Sequence, residues 1–256
     1  LEKELAHWNF DRVKEDAFAE WNRELGKITV EGGSEEEKIK FYTDLWHSLL
    51  GRHTFSDFNG KYIDNTGEEP VVRQVPLDNG TPTRNTYNSD AFWGSEFNLN
   101  ILWSIAYPKV MSEFVSTLVD YYTNGGMIAR GPSGGNYTYV MVGDQATPLI
   151  AAAYNKGIRD FDIESAYQGC LKNSEPGGIR DYVGYKTNPG NFMQQYVDKG
   201  FVPEPTTKSP HAEGCAMTLY FAYEDWCMAQ FAKGLEKEDV YRKYLQRSFN
   251  YRYVYD

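Results

Sequence analysis

One stretch, GMIARGPSGGNYTYVMVG over residues 126–143, constrains this chain more than any other. It places Gly131, Pro132, Ser133, Gly134 and Gly135 in succession, and no packed helix or strand needs such a run. Glycine loses more backbone freedom on ordering than any other residue. A loop this rich in it is therefore either mobile or bent closely around something. Arg130, Ser133, Asn136, Tyr137 and Thr138 would supply polar side chains to what it encloses. A long surface loop with no such content accounts for the composition equally well. The small apolar run ATPLIAAAY follows at once and predicts a tightly packed helix over residues 145–157.

Most of the remaining pattern is helical. Ser34 followed by Glu37 is a capping box; it opens a helix with Ile39, Tyr42, Trp46 and Leu49 on one face. Residues 10–25 read as a helix closed by Gly26, and residues 97–106 as one halted before Pro108. Val110, Phe114, Leu118 and Tyr121 recur at helical spacing up to the Gly125-Gly126 stop. Further helices are predicted over 162–171, from Leu219 to the Lys233-Gly234 stop, and over 239–252. Strand signals are confined to residues 139–142 and parts of 54–75. Long aromatic-bearing loops cover residues 52–95, 126–143 and 173–211. Loops of that length in a compact domain are usually functional. Helical hairpins joined by such loops fit a mainly α fold, a helical toroid with a pocket built by loops at one end.

Composition excludes some functions. A net charge of −10 argues against a nucleic-acid partner. No apolar run is long enough for a membrane span, and the charged start, LEKELAHWNFDRVKED, is not a signal peptide. Cys170, Cys215 and Cys227 give neither a disulfide framework nor metal-ligand spacing, and Cys215 and Cys227 fall in apolar helical patterns that suit buried thiols. Aromatic residues make up 16% of the chain, with 20 tyrosines, which suits sugar stacking as well as an ordinary wet core. GPSGGN lacks the lysine of a phosphate loop, and no serine lies in a nucleophile elbow.

Several blocks carry a resemblance to a known family. FYTDLWHSLL with FSDFNGKY, then VEGG, GGMIARGPSGGNYTYVMVGDQA, AAAYNKGIRDFD and TLYFAYEDWCMAQFAKGL resemble glycoside hydrolase family 92. That family contains calcium-dependent, inverting exo-α-mannosidases. The resemblance spans nearly the whole chain. It implies that residues 1–256 form part of one (α/α)6 barrel domain, with a β-sandwich domain before it and a later barrel segment after it outside this chain. It also implies calcium as cofactor, a glycan as substrate, partner domains of the same enzyme, and a secreted or periplasmic setting. Neither nucleic acid nor membrane is expected as a partner.

The resemblance also points to site residues. Inverting glycosidases need a carboxylic acid and a carboxylate about 6.5–9.5 Å apart. The block Asn136-Tyr137-Thr138 stands where many members have asparagine, glutamate, threonine, and that glutamate is implied as the general acid. Tyr137 takes its place, although a phenol with a reference pKa near ~10 is a poor proton donor at neutral pH. The base is implied to lie in a later acidic segment. An adjacent His-Glu pair of the mannosidases aligns Glu213 with a catalytic and calcium-binding glutamate and sets His211 close to the sugar. The tryptophan of a sugar-holding tryptophan-aspartate-threonine block matches Trp93, while Gly94 replaces the aspartate. Asp90, Glu96, Arg130, Asn136 and Asp144 complete the expected substrate contacts. Several have a plain alternative: Asp90 and Asp144 as helix caps, Arg130 as a loop brace, Asn136-Tyr137-Thr138 as an N-glycosylation sequon, Glu213 as a favourable charge at a helix N-terminus. Arg180 is a possible pocket residue, His47 and His53 are structural, and Trp103 and Trp226 belong on core faces. A carbohydrate-binding homologue without hydrolysis, or a glycosidase of the same fold with another substrate, remains open.

Overall fold

The computed structural model describes residues 3, 5, 7–89, 92–184, 190–204 and 213–255. Helix α1 (Phe10–Leu25) is capped by Asn9, whose side chain accepts the Arg12 N–H, and α2 (Glu35–Leu50) starts at the expected capping box. The Ser34 N–H reaches Glu37 Oε2 at 2.7 Å and the Glu37 N–H returns to Ser34 Oγ at 3.3 Å. Small antiparallel pairs follow: β1 (His53–Thr54), β2 (Lys61–Asp64), β3 (Val71–Gln74), β4 (Leu77–Asp78), β5 (Thr81–Pro82) and β6 (Tyr87–Asn88). β2 pairs with β3 and β4 with β5, while β1 and β6 close the base of the whole loop. The sequence pattern gave strands within 54–75, and the hairpins extend beyond it.

α3 (Leu99–Ala106) follows a single 3-10 turn at Ser95–Phe97, and Pro108 stands at the first turn of α4 (Pro108–Gly125), where its missing N–H costs nothing. In the glycine-rich loop the strands are β7 (Pro132–Ser133) and β8 (Asn136–Tyr137), not the expected residues 139–142. α5 (Ala146–Asn155) and α6 (Ile163–Asn173) come next; Asp162 caps α6 through the Ser165 N–H at 3.0 Å. The long loop after α6 holds a helix the sequence pattern missed, α7 (Phe192–Lys199). α8 (Gly214–Gly234) and α9 (Glu238–Arg247) complete the set, and the last predicted helix changes to a 3-10 turn at Ser248–Val254.

α4 and α8 are the inner helices, with most of their side chains buried, whereas α1 buries none. The larger core gathers Trp103, Phe114, Leu118, Leu149, Ile150 and Phe231. A smaller one gathers Val142, Phe192, Met193, Tyr196, Met217 and Phe221. α8 joins them: Met217 and Phe221 enter the smaller core, and Cys227 through Ala232 the larger. Trp103 is core as expected, but Trp226 is 48% exposed because it occupies the outward face of α8. Cys170 and Cys227 are buried free thiols, while Cys215, in the first turn of α8, is exposed.

Candidate active site

The glycine-rich loop is bent around this protein's own backbone. Gly134 O accepts the Asn65 side-chain amide at 2.5 Å, Gly135 O accepts the Asn65 N–H at 2.9 Å, and the Gly134 N–H donates to Asn88 Oδ1 at 2.9 Å. A Cβ at Gly135 would collide with Ile63 O. Arg130 braces the loop from inside. Its guanidinium is buried and donates to Gly143 O (2.7 Å), Tyr182 O (2.8 Å), Ile179 O (2.8 Å) and Met141 O. With its donors spent on carbonyls, Arg130 has the bracing role and leaves no fork for a substrate group.

Tyr137 does not face a pocket. It is 7% exposed, and its hydroxyl lies between Tyr121 O at 2.9 Å and Met127 O at 3.0 Å while accepting the Met127 N–H at 3.3 Å. Burial, the largest cause, pushes the phenol above its ordinary range. The structure thus corrects the expectation that Tyr137 stands in for the acid: its proton is directed to main-chain carbonyls within the core. Asn136 is half-buried and turns its Oδ1 onto the Tyr137 N–H at 2.8 Å. Asp144 is fully buried just before α5, where Gln145 is the N-cap residue, and its carboxylate is spent on the Thr147 hydroxyl at 2.6 Å and the Thr147 N–H at 3.4 Å.

Behind Asp144 lies a buried ionic seam between the two cores. Glu224 Oε1 accepts the Asp144 N–H, and Glu224 Oε2 stands 3.0 Å from Arg180 Nε but is misaligned for a hydrogen bond. Arg180 Nη1 donates to Asp225 Oδ1 at 2.8 Å, and Arg247 grips the same carboxylate at 2.6 and 2.7 Å. Arg180 is therefore a girder between α8 and the loop before α7, fully buried and away from any pocket. Burial, with the neighbouring Asp144 carboxylate and against the pull of Arg180, lifts Glu224 to about 8.

On the outer side of this seam an accessible site forms. Trp93 is 42% exposed and packs its indole on the Tyr220 ring at 5.4 Å and 32°. Tyr220 is held close to the loop end, where a side chain at Gly143 would press on it and collide with Glu224. Gly94 adopts a left-handed φ of 82°, the conformation glycine takes without strain, so the expected aspartate position serves here as a turn. That turn delivers Glu96 to the same place. Glu96 is half-buried, and its Oε2 is shut off from solvent with no partner among the described residues. Burial raises its pKa, and burial, with a smaller contribution from the Glu96 charge, likewise raises Tyr220, to about 12, and Tyr223. Trp93, Glu96, Tyr220 and Tyr223 thus share one environment: a ring face open to solvent beside a carboxyl that burial keeps protonated to higher pH.

The structure brings Trp93 and Glu96 together around Tyr220, while Tyr137, Arg130 and Asp144 are spent on internal hydrogen bonds. Asp90 and His211 lie outside the described residues. Glu213 is exposed just before α8 and its side chain caps nothing. Calcium takes about six to eight oxygen ligands. Among the described residues no three His, Cys, Asp or Glu side chains converge on a metal-binding geometry. Sequence reasoning missed Tyr220 and Glu224. One signal was available, the adjacent acids Glu224-Asp225 inside an otherwise apolar helix, since buried charges are seldom found without partners.

The profile of the glycosyl hydrolase family 92 catalytic domain matches residues 1–256. The chain is similar to an uncharacterized secreted glycosidase of Arthroderma benhamiae, 24% identical over 99% of this chain and 28% of that protein. It superposes on a family 92 inverting mannosidase of Bacteroides thetaiotaomicron with a TM-score of 0.84 at 27% identity, covering 100% of this chain and 32% of that one. A family 92 α-mannosidase of the same organism, in complex with mannoimidazole, gives 0.82 at 26% identity, covering 99% and 30%. The chain spans about a third of the length of these relatives. The helices described above are accordingly part of the (α/α)6 barrel of such enzymes.

Proposed function

Because the chain belongs to glycosyl hydrolase family 92, we propose that it contributes the Trp93–Tyr220 platform and the Glu96 carboxyl to an α-mannoside-hydrolysing site that works with inversion. The observation that carries this reading is the half-exposed Trp93 ring stacked on Tyr220 beside a carboxyl with an unpartnered oxygen. A sugar's C–H face seats on an indole, and the neighbouring polar groups fix its orientation. Glu96 answers the demand for an acid. Desolvation raises its pKa, and Oε2, buried and without an internal bond, donates to a leaving glycosidic oxygen once substrate entry uncovers it. Glu224 cannot serve as the base, since it is fully buried and engaged by Asp144 and Arg180. In this reading the water-activating carboxylate comes from another part of the enzyme. Glu213, calcium and His211 keep the roles the family resemblance implies, with further calcium ligands supplied from outside the described residues. The relative described as secreted supports export of this protein as well.

Trp8 just before α1, Phe10 and Phe18 on it, and Ile101 and Ile105 on α3 leave large apolar side chains exposed. Such faces suit the partner domains that the resemblance implies.

A second reading is favoured by one observation. Tyr137 occupies the position of the implied acid and is sealed in the core, which fits a homologue that binds glycans without cleaving them. One experiment separates the two: incubate the protein with α-linked manno-oligosaccharides, with calcium and with a chelator, and measure mannose release and calorimetric binding. The enzyme reading expects release that Glu96→Gln lowers at least a hundredfold in kcat with KM kept. Binding without release selects the binding homologue. Neither binding nor release overturns both.

A further inference from the structure

Arg52, in the turn after α2, carries a buried charge that no carboxylate answers among the described residues. The other buried guanidinium groups are engaged: Arg130 by carbonyls, Arg180 by Glu224 and Asp225, Arg247 by Asp225. Arg52 is 7% exposed and packs against the rings of Trp103 (4.2 Å), Phe114 (4.4 Å) and Phe92 (5.5 Å). Its Nη2 makes two long bonds to neutral oxygens, Ser95 Oγ and Asn100 Oδ1, each at 3.3 Å. Its Nη1 has no partner, and the same is true of Nδ2 of Asn100 and Nε1 of Trp103. Three buried donors without acceptors thus belong to residues that touch one another. Burial alone pushes Arg52 down to about 9, with no nearby anion to offset it.

Arg52 and Trp103 also line a recess of about 320 Å³ walled mainly by Leu49, Leu50, Tyr107 and Val110. Glu24 stands on the same wall, but its carboxylate is taken by Lys27 at 2.5 Å and Arg23 at 3.4 Å. We propose that this recess binds a small organic carboxylate, its oxygens drawn to Arg52 Nη1 and Trp103 Nε1, with Asn100 behind the guanidinium and the apolar body against Leu49, Leu50 and Tyr107. A single uncompensated positive charge calls for a monoanion. The planar carboxylate fits a guanidinium edge, and its two oxygens can take the Arg52 and Trp103 donors. A phosphate dianion carries more charge than the site answers and would lose its hydration against apolar walls. The recess and the Trp93–Tyr220 platform have no lining residue in common, and the assignment does not depend on the platform's role.

Calorimetry of the protein with benzoate, with benzyl alcohol as the neutral control and with inorganic phosphate, tests the assignment. Benzoate is expected to bind and to change Trp103 emission, and the other two are not. Arg52→Lys keeps the charge but loses the planar fork, and should weaken benzoate at least tenfold. Asn100→Asp installs a carboxylate beside the guanidinium; it should raise Tm and abolish benzoate binding. The assignment is overturned if benzoate fails to bind, if benzyl alcohol or phosphate binds as well, or if Arg52→Lys leaves the affinity unchanged. It is equally overturned if Asn100→Asp lowers Tm or leaves benzoate bound.

Discussion

Tyr137→Phe removes one hydroxyl and leaves the ring that packs 5.6 Å from Tyr121 and 5.9 Å from Tyr139. The hydroxyl has one proton, shared between Tyr121 O and Met127 O, and it accepts the Met127 N–H. Losing the donated bond costs about 1 kcal/mol, and leaving a buried N–H without an acceptor adds about 1 kcal/mol or more. The sum is about 2 kcal/mol. For a domain of this size each kcal/mol moves Tm by about 2–4 °C, so Tm should fall by about 4–8 °C. Scanning calorimetry reads this directly. Mannose release, or sugar affinity, measured below the transition should be unchanged, because no atom of Tyr137 reaches the Trp93 platform. Tyr137→Glu, which restores the residue the family resemblance expects, should do worse. It sets a carboxylate against Tyr121, Thr66 and Gly125 in the core, where an unpaired charge costs several kcal/mol. A phenylalanine variant that keeps its Tm but loses turnover would refute the structural role, as would a glutamate variant that gains activity at no cost in stability.

Arg180→Met leaves Glu224 and Asp225 buried without their shared cation, and should destabilise by about 3–5 kcal/mol in urea unfolding; a loss below about 1 kcal/mol would show that the seam is not ionic. Glu224 binds its proton up to about 8 in the folded protein, against 4.5 for the ordinary side chain. The folded state therefore holds more protons across that window, and this group's stabilisation, complete below about 4.5, is lost as pH rises toward about 8. Glu224→Gln should flatten the decline of Tm between those limits, and an unchanged slope would sink the assignment. Trp93→Ala should weaken sugar binding by about 1–3 kcal/mol with little change in Tm, since the ring is half-exposed; unaltered calorimetric affinity would remove it from the platform. Glu213→Gln should abolish chelator-sensitive mannose release while leaving the circular dichroism spectrum intact, and wild-type turnover would remove Glu213 from the machinery.

Helix limits were legible wherever a local rule set them. The Ser34 box, Pro108 at the start of α4, and Asp162 before α6 act within one turn, and their partners lie at most four residues away. α7 was not legible, because its eight residues sit inside a long glycine- and asparagine-bearing loop and bury only Phe192, Met193 and Tyr196. At the site, Trp93 was readable as an aromatic before a helix. Its partner Tyr220 was not, because nothing in TLYFAYEDW distinguishes an outward ring from a core ring without a neighbour to pack on.

The sequence by itself determined a mainly helical chain, its caps and stops, and its family, because these depend on neighbours in the chain or on contiguous blocks. Tertiary structure alone decided what each polar side chain is for. Arg130 could brace or bind, and the carbonyls of residues 11 to 52 positions away settled it as a brace. Asp144 and Glu224 are 80 residues apart and meet at one N–H, while Arg52 and Asn100 are 48 apart and share one oxygen. Burial and charge pairing are properties of neighbours in space. The same residue type is a solvated cap at Glu37, a half-buried carboxyl with a raised pKa at Glu96, and a fully buried partner of Arg180 at Glu224.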